Sequence, residues 1–115
     1  MAGGWTGVDL DGCLAMYEGW QGPGHIGEPV PLMLERVKRW LAEGVDVRIF
    51  TARVSVADQA DEVRAALGDW CEQNGLPRLP VTHQKDYAMV VLYDDRCVQV
   101  ETNTGRLIGE PKAVT

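Results

Sequence analysis

The sequence predicts a single α/β domain built on a mostly parallel sheet. Three observations predict it. Short β-branched or apolar runs alternate with segments whose apolar residues recur at helical spacing. Gly and Pro punctuate the chain between those segments, and no repeat, low-complexity tract or linker divides it. The 115 residues match one ordinary domain, large enough to bury a core without a disulfide or zinc staple.

The elements come in a clear order. Residues 4–8 lead into an aspartate and read as a first strand, weak in composition because two of them are glycine. Residues 11–31 are rich in Gly and Pro and hold Tyr17 and Trp20, and a connection this long in a compact domain is usually functional. Pro31 opens a helix with Met33, Leu34, Val37, Trp40 and Leu41 on one face and Glu35, Arg36, Lys38 and Arg39 facing away; Gly44 stops it. Residues 45–50 alternate and form a strand ending at Thr51. Ser55, with Asp58 three residues on, has the form of a helix start. Ala60, Val63, Leu67, Trp70 and Cys71 give that helix its apolar face, and Gly75 and Pro77 end it. Residues 79–81 make a short strand. The continuous apolar run 89–93 suits a central strand covered on both faces, and it ends at Asp94. Residues 98–100 are a further short strand, and the turn at Asn103, Thr104 and Gly105 predicts a C-terminal hairpin.

Composition excludes several functions. The formal net charge is −6 with no block of Lys or Arg, so non-specific nucleic-acid binding is disfavoured. Cys13, Cys71 and Cys97 are odd in number and form no CxxC pair, which suits reduced thiols rather than a disulfide framework or zinc ribbon. No basic start followed by an apolar run marks a signal peptide, and no apolar stretch approaches the ~20 residues of a membrane helix. A soluble cytoplasmic protein without a membrane partner is expected.

In parallel sheets ligands bind outside the carboxyl ends of the strands. The residues at those ends are distinctive. The first strand runs into Val8-Asp9-Leu10-Asp11-Gly12, the second ends at Thr51, and the 89–93 strand ends at Asp94-Asp95, with Lys85 ahead of it. Four carboxylates in one crevice repel, so a cation must hold them or some must stay protonated. A hard divalent metal prefers such oxygen ligands. A carboxylate is also a competent nucleophile toward phosphorus, and phosphoryl transfer otherwise needs positioning and charge neutralisation.

These residues resemble the four motifs of the haloacid dehalogenase (HAD) superfamily, in order: Asp9-Leu10-Asp11-Gly12, Thr51, Lys85 and Asp94-Asp95. The resemblance runs from residue 5 to about residue 100. It implies a HAD-type Rossmann-like domain spanning residues 1–115 that works as a phosphoric monoester hydrolase. Asp9 would be the nucleophile and Asp11 the general acid/base. Thr51 and Lys85 would bind phosphoryl oxygens, with Gly12 and Arg53 beside the substrate. Mg²⁺ would be held by the Asp9 carboxylate, the Asp11 backbone carbonyl and Asp94; Asp95 either joins them through water or only orients Asp94. The second aspartate of the first motif implies phosphate chemistry rather than dehalogenation. Residues 12–27 would be a helical turn and β-hairpin flap gating the site. Cys13 departs from the Thr or Val common in the family, and there is no room for a cap domain. An open site favours a bulky substrate such as a nucleotide or polynucleotide end, or a homo-oligomer in which a neighbour covers it.

Plainer readings stand beside these. Arg53 in Thr51-Ala52-Arg53 is either a substrate contact or half of a surface ion pair. His25 and His83 are not needed by the chemistry. Tyr17 and Trp20 either stack on a base or sugar or form a small core of the flap, whereas Trp40 and Trp70 fit helix faces. Cys13 lacks a basic partner that would activate it. Two other functions share the ingredients. A response-regulator receiver also accepts phosphate on Asp with Mg²⁺, but carries its acidic pair first and its Lys last. A phosphate-binding protein without turnover would keep the same residues and lack hydrolysis.

Overall fold

Apolar residues at alternate strand positions need a cover, and two helices supply it. The structure, a computed structural model, describes residues 3–109. Its elements are β1 (Trp5–Asp9), α1 (Pro31–Ala42), β2 (Val47–Phe50), α2 (Ala60–Gln73), β3 (Val81–Thr82), β4 (Met89–Tyr93), β5 (Gln99–Val100) and β6 (Leu107–Ile108). β1 to β4 form one parallel sheet in the order β3-β2-β1-β4, and β5 and β6 form a separate antiparallel hairpin. The architecture is α/β and compatible with a Rossmann-like domain.

Val8, Val47 and Ile49 point to one face of the sheet, where they share a buried core with Met33 and Val37 of α1 and Val63, Leu67, Trp70 and Cys71 of α2. Burying one such aliphatic side chain stabilises the fold by about 1.5–3 kcal/mol. α1 begins at Pro31, whose missing N–H and fixed φ suit the first helical position. It ends where Gly44 takes a φ of 84°. On the opposite face of the sheet the Trp5 ring lies across Gly7 under the Arg48 guanidinium, 4.9 Å from its centroid, and its indole N–H donates to Asp86 Oδ1 at 2.8 Å.

Three expectations are corrected. α2 starts at Ala60, not beside Ser55. Thr51 Oγ1 instead accepts from the Arg53 N–H at 3.2 Å and caps a 3₁₀ turn, Ala52–Ser55, while the Ser55 hydroxyl donates back to the Ala52 carbonyl at 2.6 Å. The strand expected at 79–81 is β3 at Val81–Thr82, and Leu79 is a buried core residue ahead of it. β4 has the expected bounds but lies at the sheet edge: Val90 is 67% exposed, and the 83–88 connection before β4 holds no helix. An unbroken apolar run reports the packing of its side chains and not the number of its neighbours. Tyr93 of β4 stacks on Trp40 at 4.8 Å, and Leu92 lies against Gly7. The C-terminal hairpin is present. No described helix is long and apolar enough to cross a membrane.

Candidate active site

Strand order and register build the site. β2 and β3 lie to one side of β1 and β4 to the other, so the connection reverses between β1 and β4. At such a switch point the loops diverge and leave a crevice. Asp9 pairs with Phe50, which puts Thr51 just beyond it on one side; Val8 pairs with Tyr93, which puts Asp94 just beyond it on the other. The chain then turns sharply, with the N–H groups of Cys13, Leu14 and Ala15 all converging on the Leu10 carbonyl at 2.9–3.2 Å. Gly12 makes this turn with a φ of 88°, and a Cβ there would lie 2.5 Å from Asp95 Oδ2. Only glycine meets both demands.

Asp9, Asp94 and Asp95 each place one carboxylate oxygen within 4.8 Å of the others. Burial, then the Asp95 carboxyl and the charges of Asp94, Asp95 and Asp11, push the Asp9 carboxyl up to about 8. Asp95 Oδ1 is buried with no hydrogen-bond partner. With both carboxylates ionised neither can donate to the other, so a shared proton or a cation must relieve them. Opposite oxygens of an octahedral Mg²⁺ site are roughly 4 Å apart, so the separations and the all-oxygen donor set fit a hard divalent cation. Asp94 Oδ1 accepts from the Arg96 backbone N–H at 2.8 Å, which fixes one of its oxygens. The Cys13 thiol is pushed up to about 11 by burial and then by Asp9, Asp95 and Asp94, which keeps it protonated and unreactive.

Asp11 takes a different partner. Arg53 Nε donates to Asp11 Oδ2 and Arg53 Nη2 to Asp11 Oδ1, both at 2.8 Å. The Arg53 side chain is 6% and the Asp11 side chain 22% exposed, so this is a part-buried bidentate pair rather than a surface one. Its Nη1 donates to the His25 carbonyl at 2.7 Å, and its Cζ lies 5.0 Å from the centroid of the Trp20 ring. Three of the five guanidinium N–H groups are thereby engaged within the protein.

A cleft of about 580 Å³ opens over these groups, bordered by Asp9, Asp11, Gly12, Thr51 and Arg53. Asp95, Arg96, Tyr17, Trp20, Val56 and Gln59 line it as well. Lys85 does not border it: this residue lies exposed in the 83–88 connection and makes no hydrogen bond or ion pair among the described residues. His83 is likewise exposed and outside the cleft, and His25 contributes its backbone. Residues 12–29 leave the sheet edge and return through one antiparallel bridge, Ala15 to Pro29, with the Met16 N–H donating to Glu28 O at 2.8 Å. The expected helical turn is there, whereas the expected hairpin is reduced to this single bridge. Sequence reading missed Arg96, although it directly follows Asp94-Asp95. Val56 and Gln59 were hidden because Ser55 reads as the helix start, which puts both in the first turn of a helix that in fact begins at Ala60.

No protein-family model and no curated protein matches the chain. A solved structure described as a conserved protein coded by a locus from Bacteroides thetaiotaomicron is similar to it, with a TM-score of 0.56 and 23% identity over 83% of this chain and 78% of that one. That likeness is one of fold.

Proposed function

We propose that this chain is a capless HAD-type phosphohydrolase, using Asp9 as nucleophile and a bound Mg²⁺. The observation that carries the reading is the orphaned Asp95 Oδ1 beside Asp9 and Asp94 at the switch point, a cation-shaped deficit of charge. Asp9, Asp94 and Asp95 would hold the ion, which supplies neutralisation of the charge on the transferring phosphoryl group.

The protein's own groups divide the remaining work. An Asp9 oxygen attacks phosphorus, the ester P–O bond breaks, and the leaving oxygen takes a proton from Asp11, which carries that proton once one of its oxygens is released from the Arg53 fork. Water then attacks the acyl phosphate, Asp11 takes its proton, and the bond to Asp9 breaks to release inorganic phosphate. Thr51 is buried and its hydroxyl oxygen already accepts the Arg53 N–H, so its own proton is free to meet a phosphoryl oxygen. Arg96 borders the cleft and makes no ion pair among the described residues, and the proposal gives it the role that the resemblance implied for Lys85.

A cleft of about 580 Å³ is much larger than a phosphate. Trp20 is 52% and Tyr17 49% exposed, and both line the cleft together with Val56 and Gln59. Such walls suit a flat, partly polar leaving group, so a nucleotide or polynucleotide end is the proposed substrate class. The test is a panel of phosphorylated sugars, nucleotides and 3′- or 5′-phosphorylated oligonucleotides, with and without Mg²⁺. Metal-dependent release of phosphate that vanishes in Asp9→Asn supports the reading. Undiminished turnover by Asp9→Asn, or none by the unaltered protein, defeats it.

A further inference from the structure

Arg53 joins three parts of the chain that sequence order keeps apart. Its backbone leaves β2 through the turn capped by Thr51, its guanidinium grips both oxygens of Asp11 after β1, and the same group holds the 12–29 excursion through the His25 carbonyl and the Trp20 face. It also borders both the main cleft and a smaller cavity of about 260 Å³ inside the excursion, lined by Tyr17, His25 and Glu28 among others. A guanidinium is a rigid plane, so its contacts on one edge fix the direction of the others. Asp11 makes no other side-chain hydrogen bond among the described residues, so the orientation of its carboxyl is set by Arg53.

We propose that Arg53 is a positioning residue that couples the excursion to the acid/base group: the Trp20 and His25 contacts set the guanidinium plane, and that plane sets the Asp11 carboxyl. The kinetic part rests on Asp11 acting as the acid/base of the proposed phosphatase; the mechanical part does not. Coupling between two sites is reciprocal, so a change at Asp11 must be felt in the excursion and a change in the excursion must be felt at Asp11.

Two measurements test this on the full chain. In hydrogen exchange, Asp11→Asn and Arg53→Lys should each speed the amides of residues 16–28 by about tenfold or more while α1 and α2 keep their protection. Amides in 16–28 that do not respond to Asp11→Asn overturn the coupling. The second compares an alkyl phosphate, whose poor leaving group needs a proton, with an aryl phosphate, whose good leaving group does not. Arg53→Lys keeps the charge and loses the fork. It should lower kcat for the alkyl ester about 10- to 100-fold and for the aryl ester much less, and Trp20→Ala should shift the ratio the same way by a smaller factor. Equal losses on both esters overturn the positioning role. An unaltered protein that hydrolyses neither ester counts against the phosphatase reading, and the coupling is then decided by the exchange measurement.

Discussion

The Asp9 and Asp95 carboxylates meet at the carboxyl edge of the sheet, with Asp95 Oδ1 buried and facing no donor. This pair exists because Gly12 lets it: a side chain there would collide with the Asp95 carboxylate. Two like charges so placed are stable only around a cation or with a proton between them. That constraint, and the cleft around it, set the behaviour expected of the metal and of the residues beside it.

Mg²⁺ should stabilise the fold. An ion that binds only the native state adds about 2.7 kcal/mol at a hundredfold excess over its Kd. A melt with and without Mg²⁺ should therefore show a rise of several degrees. Asp95→Asn should abolish most of that rise and, in chelator above about pH 8 where Asp9 is ionised, should itself melt no lower than the unaltered protein, because it removes one of two like charges.

The metal effect should depend on pH in a fixed direction. Asp9 sits at about 8 in the folded metal-free protein against 3.8 in an unfolded chain. Between those values the folded state binds the extra proton, so the contribution of this group to metal-free stability is greatest at acid pH and is lost as pH rises toward about 8. Mg²⁺ competes with that proton. Its apparent Kd should fall as pH rises from about 6 to about 8 and level off above, as calorimetric titration at several pH values would show. A Kd that is flat or rises across this window contradicts the assignment.

Gly12→Ala should cost metal binding more than fold. The positive φ alone costs roughly 1 kcal/mol for a non-glycine residue. The added Cβ also displaces the Asp95 carboxylate, so Mg²⁺ affinity should fall about tenfold or more by the same titration while circular dichroism stays native.

Arg96 and Lys85 can be ranked. Arg96 borders the cleft and Lys85 does not. Loss of a charge-assisted hydrogen bond to phosphate costs about 1.5–3 kcal/mol, so Arg96→Ala should lower kcat/KM about 10- to 100-fold. Lys85→Ala should lower it less. The reverse order would show that the 83–88 connection closes on the substrate and would restore Lys85 to the site.

Much of the fold was legible because α1, β2 and β4 carry strong periodicity or unbroken apolar runs, whereas β1, weak in composition, was legible from the aspartate it leads into. The carboxylate cluster was legible because strands that alternate with helices force their carboxyl ends to one edge, and Asp9, Thr51 and Asp94 stand at those ends. The misses have physical causes. The edge position of β4 depends on whether another strand pairs with its outer side, which its own five residues do not encode. The late start of α2 depends on Thr51 capping a turn that keeps Arg53 in the site, where Ser55 alone looked like a cap. The Arg53–Asp11 pair spans 42 positions, and no local pattern reports a partner at that separation.

Acid-quenching the protein during turnover, reducing it with borohydride and sequencing its peptides by mass spectrometry tests the nucleophile most directly, because an acyl phosphate is reduced to the alcohol and a free carboxylate is not. Homoserine should be found at position 9, only when Mg²⁺ and a phosphate ester are both present. Turnover with Asp9 left unreduced, or the alcohol found at another aspartate, would contradict the assignment of Asp9.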